Sequence, residues 1–243
     1  MKTPQALIIT TAFCALASKS LAVDSSYYKT GPVLGTGLGY SSLSINARDT
    51  LFLMDGLPTN GEFKKTKRNN GFVVDLFSGY RFLINKSFIF SLNLSFSKDT
   101  NSVKSTIGIP TTSAISQTKI YRQFSVTPDL TAGYIFCQQW MAYLKLGLSI
   151  SRFNLENKVI GRDAVVSTDK TVTKFGVKPT IGIEYAINRK VSFFTDFSYE
   201  YVSSMKKDLK NPSAPNVFIL GATHDLKSSP HYVTGKIGVL FKF

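Results

Sequence analysis

The sequence is poor in the residues that build metal centres and covalent cross-links. It holds two cysteines and two histidines in 243 residues, too few for a zinc or iron–sulfur cluster. Cys14 lies in the N-terminal segment described below, so a mature chain would keep only Cys137. An exported protein with one cysteine has no internal disulfide framework. We therefore expect no metal, no cofactor and a fold held by non-covalent contacts.

Charged side chains are also scarce, and no long apolar run accompanies them. Charged residues make up 18% of the chain and hydrophobic residues 43%, which is too apolar for a disordered protein. Beyond the N-terminus no run reaches the roughly 18 apolar residues of a membrane-spanning helix. Aromatic residues are abundant instead, with 19 Phe and 11 Tyr against one Trp. This composition favours β-structure over helix.

Residues 1–22 have the pattern of a secretory signal peptide. A lysine near the start is followed by a short apolar core, and Ser20 and Ala22 are the small residues that a cleavage site requires. We expect this segment to be removed after export. The mature chain, residues 23–243, is expected to form a single domain.

The dominant period from residue 31 onward is two residues. In the segment 88–97, Phe and Leu at even positions alternate with mostly polar residues at odd positions, which is strand periodicity because successive side chains point to opposite faces. Eight segments share this pattern, at 32–45, 71–83, 87–98, 119–136, 140–153, 173–187, 190–202 and 231–243.

The connections between these segments alternate in length. Three are tight, at 84–86, 137–139 and 188–189. Four are long and polar, at 46–70, 99–118, 154–172 and 203–230. An even number of strands with short turns on one side and long loops on the other is typical of a transmembrane β-barrel. The sequence thus predicts an all-β fold, an eight-stranded, antiparallel, up-and-down transmembrane β-barrel.

One face of each predicted strand is almost free of charge, as a lipid-facing surface must be. A basic residue at mid-bilayer costs about 2–4 kcal/mol and much less near the interface. The exceptions are Arg122 and Arg152, both at the loop end of their strands. We expect both to face the lipid near the outer rim. There they either bind lipopolysaccharide phosphates or extend into the interface without a specific partner.

The opposite faces are polar and carry nearly balanced charges. Eight strands enclose an interior just wide enough for side chains, so we expect these charges to be paired, with a wet lumen as the alternative. The counting of the tight hairpins places Asp129 beside Lys145 and Lys178 beside Glu200 or Ser198. The predicted interior ion network comprises Asp75, Asp129, Lys145, Lys178, Asp196, Glu200 and Lys236.

Three glycines at every second position of the first strand, Gly35, Gly37 and Gly39, resemble a phosphate-binding loop. No helix follows them, and a lone glycine pattern is a weak signal. We expect all three to point into the lumen and leave room for bulkier side chains there.

Basic residues cluster in two of the predicted long loops. The first loop contains Lys64, Lys65, Lys67 and Arg68, and the fourth contains Lys206, Lys207 and Lys210. Closure of the barrel brings these two loops together, so one patch is predicted at the outer mouth. Such a patch attracts anionic glycans, such as lipopolysaccharide cores or sulfated host sugars. The alternative is a solvated surface beside anionic lipid head groups.

The last segment, 231–243, ends in Phe243 after apolar residues at alternate positions. This end resembles the C-terminal assembly signal of Gram-negative outer-membrane proteins. With the signal peptide and eight strands, the chain resembles the OmpA/OmpX/opacity-protein class of small barrels and surface antigens. The resemblance implies the outer membrane as location. It also implies lipopolysaccharide, the barrel-assembly machinery and periplasmic chaperones as partners. The basic clusters add host or matrix glycans as further candidates, and export excludes nucleic acid.

Three functions remain open at the level of the sequence. The leading interpretation is a non-enzymatic barrel that displays surface loops and acts as an adhesin-like surface antigen. The second is a narrow, porin-like pore. The third is a lipid A-modifying enzyme, for which Ser228, Ser229 and His231 lie close in sequence. No orienting acid stands at an obvious position beside them, so no catalytic residue is assigned.

Overall fold

A computed structural model describes residues 27–51, 62–84, 86–109, 114–160, 165–208 and 224–243. The strands in these residues are β1 (Gly31–Leu51), β2 (Glu62–Leu83), β3 (Phe88–Asp99), β4 (Ser102–Ile109), β5 (Ala114–Cys137), β6 (Trp140–Ile160), β7 (Val165–Ala186), β8 (Val191–Val202), β9 (Met205–Asp208) and β10 (His224–Lys242). The described part contains no helix that is long and apolar enough to cross a membrane. The predicted signal peptide lies outside the described residues.

The ten strands occupy eight positions in the wall of a closed barrel. β3 and β4 both pair with β5 and are separated by Thr100 and Asn101, so β4 continues the position of β3. β8 and β9 both pair with β10, separated by Ser203 and Ser204. Antiparallel pairing of β1 with β10 closes the ring. The predicted eight-stranded antiparallel barrel is confirmed.

The predicted tight turns lie together at one end of the barrel, the turn end. They connect β2 to β3, β5 to β6 and β7 to β8. The described termini lie there too, and the Phe243 amide donates a hydrogen bond to the carbonyl of Pro32 at 3.1 Å. The opposite, outer end carries the remaining connections. In an outer-membrane barrel this is the extracellular end.

Three of the four predicted long loops are largely β-strand, and the fourth contains β9 and the first part of β10, so this part of the sequence-based prediction is wrong. A transmembrane strand needs about 9–11 residues, whereas β5 has 24. Residues 64–68 belong to β2 and residues 206–207 to β9, while Lys210 lies outside the described residues. The sequence pattern does not reveal these strands, because their outward residues are polar. A strand surrounded by water does not need an apolar outer face.

The polarity of the two barrel faces inverts part-way along the strands. Along β6, Leu148 is exposed and Ser149 buried, as a wall between lipid and a polar lumen requires. Only three residues farther out, Arg152 is exposed and Phe153 is fully buried. A polar exterior around an apolar interior belongs in water. We call the water-exposed part the outer extension, which comprises residues 42–51, 62–70, 102–109, 114–121, 152–160, 165–173, 205–208 and 224–231.

The outer extension consists of two four-stranded sheets rather than a closed ring. The first sheet has the order β2-β1-β10-β9 and the second β4-β5-β6-β7. Among the described residues no ladder joins β2 to β4 or β7 to β9. The sheets pack around a shared apolar cluster of Leu43, Ile45, Val103, Ile120, Phe153, Leu155, Val202, Met205 and Tyr232.

The glycines of β1 give space to large side chains inside the lumen, as predicted. A side chain at Gly35 would overlap the ring of Phe77, and one at Gly37 would press against Phe194. These two rings contact each other edge to face, with centroids 5.5 Å apart. The glycines therefore serve packing of the interior, not phosphate binding.

We predict that Gly35→Val lowers the free energy of unfolding by about 1–3 kcal/mol, because the added methyl groups overlap the Phe77 ring. The matched control is Gly235→Val on β10, where an added Cβ meets no atom within 4 Å and the expected change stays below about 0.5 kcal/mol. Urea unfolding in lipid vesicles measures both. Equal losses at the two positions would contradict a packed lumen at this level.

Candidate functional site: buried ion pairs and a basic row

Arg122 points into the barrel, so the prediction that it faces lipid at the outer rim is wrong. Its guanidinium contacts the carboxylates of Asp99 at 2.5 Å and Glu200 at 2.7 Å, and all three side chains are almost completely buried. The guanidinium also lies 4.0 Å from the ring centroid of Tyr232. The site forms one compact cluster where the lumen meets the outer extension.

A β-bulge is the physical reason for the changed direction of Arg122. The β5–β6 register shifts between Arg122, which is opposite Phe153, and Phe124, which is opposite Arg152. The extra residue, Gln123, reverses the alternation of side chains beyond it. Strict period-two counting from Phe124 therefore put Arg122 on the wrong face. Arg152 is exposed on the outward face of β6, where the outer extension begins, and its contact with lipopolysaccharide stays a prediction.

A second buried ion group lies deeper in the lumen. Lys236 forms an ion pair with Asp75 and lies 3.7 Å from Asp196, which is its register partner on β8. Asp196 also pairs with Lys145 at 3.2 Å and accepts a hydrogen bond from Tyr143. The structure thus brings together four of the residues assigned to the interior network, from β2, β6, β8 and β10.

One of the predicted pairs differs in the structure. Asp129 lies opposite Gly147 rather than Lys145, and it accepts hydrogen bonds from Asn93, Ser95 and Thr131. The expected Asp129–Lys145 pair is wrong because Lys145 extends across the lumen to Asp196.

Lys178 is buried at the register position opposite Glu200, between the pairs Val177–Tyr201 and Thr180–Ser198. The ladder is interrupted there, next to Pro179, whose nitrogen cannot donate. The ion-pair partner of Glu200 is Arg122.

A third ion pair closes the turn end. Arg81 and Glu184 face each other across the lumen and form two parallel bonds of 3.0 and 2.7 Å. Tyr28 is 2% exposed beside them and donates a hydrogen bond to the Gln139 carbonyl at 2.9 Å. The predicted interior network does not include Arg81 and Glu184, because they lie on strands that are not neighbours and hairpin counting does not relate them.

Apolar layers alternate with these ion groups along the barrel axis. Tyr28, Ile89, Ile135, Met141, Tyr143 and Ala186 form the layer at the turn end. Val33, Phe77, Phe194 and Leu240 form a second layer, and the core of the outer extension is the third. A cavity of about 20 Å³ between Arg81, Ser91 and Tyr143 has the size of one water molecule. Side chains thus occupy the described lumen at each of these three levels.

Strand register unites the two basic clusters into one row on the first sheet. Arg48 on β1 is opposite Lys64 on β2 and Lys227 on β10, and Lys227 is opposite Lys206 on β9. Four basic residues thus occupy directly opposed positions on four adjacent strands, and we call them the basic row. Sequence reasoning missed Arg48 and Lys227, because only the pairing of β1 with β10 reveals that they join the two clusters.

The surroundings of the basic row are not uniformly positive. Two residues farther from the membrane, the opposed positions are Glu62, Thr50, Asp225 and Asp208. On the second sheet the comparable row is mixed, namely Lys104, Lys119, Glu156 and Asp169. There Lys119 and Glu156 neutralise each other at 3.3 Å. The basic row is therefore a band on one sheet, bounded outward by acids.

The other predicted site residues lie on either side of this band. Arg68 is exposed and Lys67 half-buried on β2, nearer the membrane. Lys65 and Lys207 occupy neighbouring positions of β2 and β9. Phe243 is 64% exposed at the turn end, and its role as an assembly signal stays a prediction.

We predict that Arg122→Gln destabilises the barrel by about 3–5 kcal/mol, because it leaves two buried carboxylates without their cation. Arg152→Gln, which removes an exposed arginine thirty positions along the chain, is the control and should cost less than about 0.5 kcal/mol. Thermal unfolding followed by circular dichroism in detergent compares them. Similar stability of the two variants would contradict the buried cluster.

The chain is similar to several solved structures of outer-membrane proteins. The E. coli outer-membrane protease OmpT aligns over 90% of this chain and 100% of its own, with 9% identity and a TM-score of 0.53. OprG of Pseudomonas aeruginosa aligns over 89% and 97%, with 14% identity and a TM-score of 0.43. Ail of Yersinia pestis, in complex with the heparin analogue sucrose octasulfate, aligns over 84% and 99%, with 18% identity and a TM-score of 0.32.

No curated protein matches the sequence. Residues 7–223 match the family model described as outer membrane protein beta-barrel domain. This match spans most of the chain, and the closed eight-position barrel described above is the fold that such a family requires. The chain therefore belongs to the outer membrane protein β-barrel domain family, whose members reside in the outer membrane of Gram-negative bacteria.

Proposed function

We propose that the protein is a non-enzymatic surface barrel that binds anionic glycans on the first sheet of its outer extension. The basic row carries this proposal. Its four positions span three inter-strand spacings, about 14 Å in all, and an extended phosphorylated or sulfated sugar chain matches such a line of cations. Arg68 and Lys67 add positive charge on the membrane side of the row, and Lys65 and Lys207 occupy the positions next to it on β2 and β9.

The height of the basic row above the membrane supports a surface ligand. Arg48 lies eight residues beyond Tyr40, whose ring meets Phe72 at 6.0 Å on the lipid-facing side. Eight residues of a tilted strand correspond to a rise of about 20 Å. The row thus stands among the sugars of the outer leaflet, clear of the hydrocarbon.

The acids beyond the basic row favour one source of the ligand over the other. Glu62, Asp208 and Asp225 repel a polyanion that approaches from solution, whereas phosphoryl groups of a membrane-anchored glycolipid reach the row from below. The shared chemistry is an anionic glycan. The membrane glycolipid is the favoured source and a soluble sulfated glycan the second.

The packed interior argues against the two other functions. Three apolar layers cross the described lumen. A steady aqueous pathway would have to pass through all of them. Buried carboxylates such as Asp99, Glu184 and Glu200 are engaged in ion pairs where no substrate reaches them. His231, the histidine weighed for catalysis, has its Nδ1 3.0 Å from the Tyr199 hydroxyl, so that nitrogen is engaged by a tyrosine.

We predict that the double substitution Arg48→Gln, Lys227→Gln weakens binding to lipopolysaccharide vesicles at low salt. A basic residue near an anionic surface contributes about 1 kcal/mol, so removing two corresponds to about thirtyfold. Exposed charges are screened within about 8 Å at physiological salt, so the difference should shrink as salt rises.

The control for this experiment is Lys158→Gln, Lys170→Gln, two exposed lysines on the second sheet, which should leave binding unchanged. A parallel arm with a soluble heparin-like polymer identifies the ligand source, since only the arm that contains the true ligand should lose affinity. If the Arg48/Lys227 variant binds both as well as the parent does, the proposed glycan function is wrong.

We predict that the mature protein gives no steady conductance in planar bilayers, because the apolar layers exclude a continuous file of water. Insertion is verified in the same membrane by protease protection of the barrel, and a general porin serves as the positive control. A sustained, ohmic current through the unmodified protein would favour the narrow pore over a closed barrel.

A further inference from the structure

The outer extension leaves two pairs of strand edges facing each other across a seam. One seam lies between β2 and β4, the other between β7 and β9, and in the described residues neither contains a backbone ladder. An unpaired strand edge presents a row of free N–H and C=O groups that another extended chain can pair with. The two seams differ in how they are bridged and in charge.

The hydrogen bonds between Phe72 and Thr100, at the inner end of the first seam, show which backbone groups of β2 face that seam. The Phe72 carbonyl accepts from the Thr100 amide at 3.0 Å, and the Phe72 amide donates to the Thr100 hydroxyl at 3.0 Å. Because backbone direction alternates along a strand, Asn70, Arg68 and Thr66 turn their amides and carbonyls toward the same seam. On β4 the carbonyls that face it are those of Ser102 and Lys104.

Side chains bridge this seam where the backbone does not. Asn69 donates a hydrogen bond to the Ser102 carbonyl. Two residues farther out, Lys67 donates a hydrogen bond to the Lys104 carbonyl at 2.7 Å. Both bridges run from a side chain of β2 to a backbone carbonyl of β4, so the carbonyls of β4 that face the seam are bound there by side chains and not by a neighbouring strand.

The charge of the first seam selects the chemistry of its occupant. Its β2 side, Glu62–Asn70, holds Lys64, Lys65, Lys67 and Arg68 against a single acid, and its β4 side, Ser102–Ile109, holds Lys104 and no acid. The second seam is mixed, with Asp169 and Asp208 among its lysines. Alternating amides and carbonyls match another peptide backbone rather than a sugar, because only a backbone offers both groups at strand spacing.

We propose that the β2–β4 seam captures an extended, acidic peptide segment of another protein by strand addition. The segment displaces the Lys67 bridge, pairs with the free edges of β2 and β4, and places its carboxylates beside Arg68 and Lys104. A seated strand requires two inter-strand spacings, about 9.6 Å between β2 and β4, so it enters from the outer end of the seam, beyond the Asn69 bridge. Without a bound peptide, the side chains of Lys67 and Asn69 bridge the seam.

The test uses the mature protein folded in lipid nanodiscs and a synthetic ten-residue peptide of alternating Glu and Val or Thr. The matched control peptide has the same sequence with N-methyl groups on alternate amides, which removes donors but no charge. We expect the parent peptide to bind and the N-methylated one to bind at least about tenfold more weakly. Amide hydrogen exchange at Arg68, Thr66 and Lys104 should slow only with the parent peptide. Equal binding of the two peptides would overturn strand addition.

Protein variants test the charge selection. Arg68→Glu, Lys104→Glu should weaken peptide binding about tenfold or more, whereas Lys158→Glu, Lys170→Glu on the second sheet should not. Circular dichroism verifies that each variant is folded, and the peptide pair on the unmodified protein remains decisive if one is not. Full displacement of the peptide by a heparin-like polymer would assign the seam to glycans and overturn the proposal. The glycan function itself stands or falls separately, because its test residues lie on β1 and β10.

Discussion

The requirement that every backbone amide and carbonyl find a partner in lipid determines this architecture. Hydrocarbon offers no hydrogen bonds, so strands that cross it must form a ring without edges. The barrel obeys this through the membrane, where β1 pairs with β10 and each wall position has two neighbours. Above the membrane, water satisfies free backbone groups and the requirement ends. There the same strands separate into two sheets with open seams.

Closure in turn determines the interior. A ring of eight strands has little space for water, so its inward charges lie in a poorly screened environment and need partners. Arg122 with Asp99 and Glu200, and Arg81 with Glu184, meet that need across the lumen rather than between adjacent strands. These cross-lumen pairs and the apolar layers between them bind opposite walls together. The small lumen of an eight-stranded ring therefore explains both the contacts that stabilise the barrel and the absence of a wide channel in the described interior.

The sequence predicted the elements whose pattern is enforced by lipid. Alternation with a charge-free face specified the eight strands, the tight turns and the inward direction of residues such as Asp75 and Lys236. It failed where that enforcement stops. The sequence of the outer extension predicts loops because its outward residues are polar. The change from an apolar to a polar outward face at Arg152 and Phe153 has the same pattern as the end of a strand.

The β-bulge at Gln123 is the reason why period-two counting predicted the wrong face for Arg122. One inserted residue reverses every later side chain, and nothing in the local sequence marks it. Pairs across the lumen, such as Lys145 with Asp196, depend on the curvature of the closed ring and on side-chain length, so hairpin counting cannot reach them. The same holds for Arg48 and Lys227, which join the basic clusters only through the pairing of the first strand with the last.

The positions of the excess positive charges follow from the two environments of the barrel, lipid and water. Inside the lumen, acids and bases nearly balance, because an unpaired charge there is costly. On the lipid-facing wall, charge is excluded. The positive excess therefore has to be carried mainly outside both, where water screens it. It lies on the outer extension and on exposed turn-end residues such as Lys86, Arg189 and Lys190. Open strand edges are also tolerated only where water reaches them. Free strand edges are thus confined to the outer extension, which also carries much of the positive charge. This combination is the reason why recognition is proposed for the outer extension rather than for the barrel that supports it.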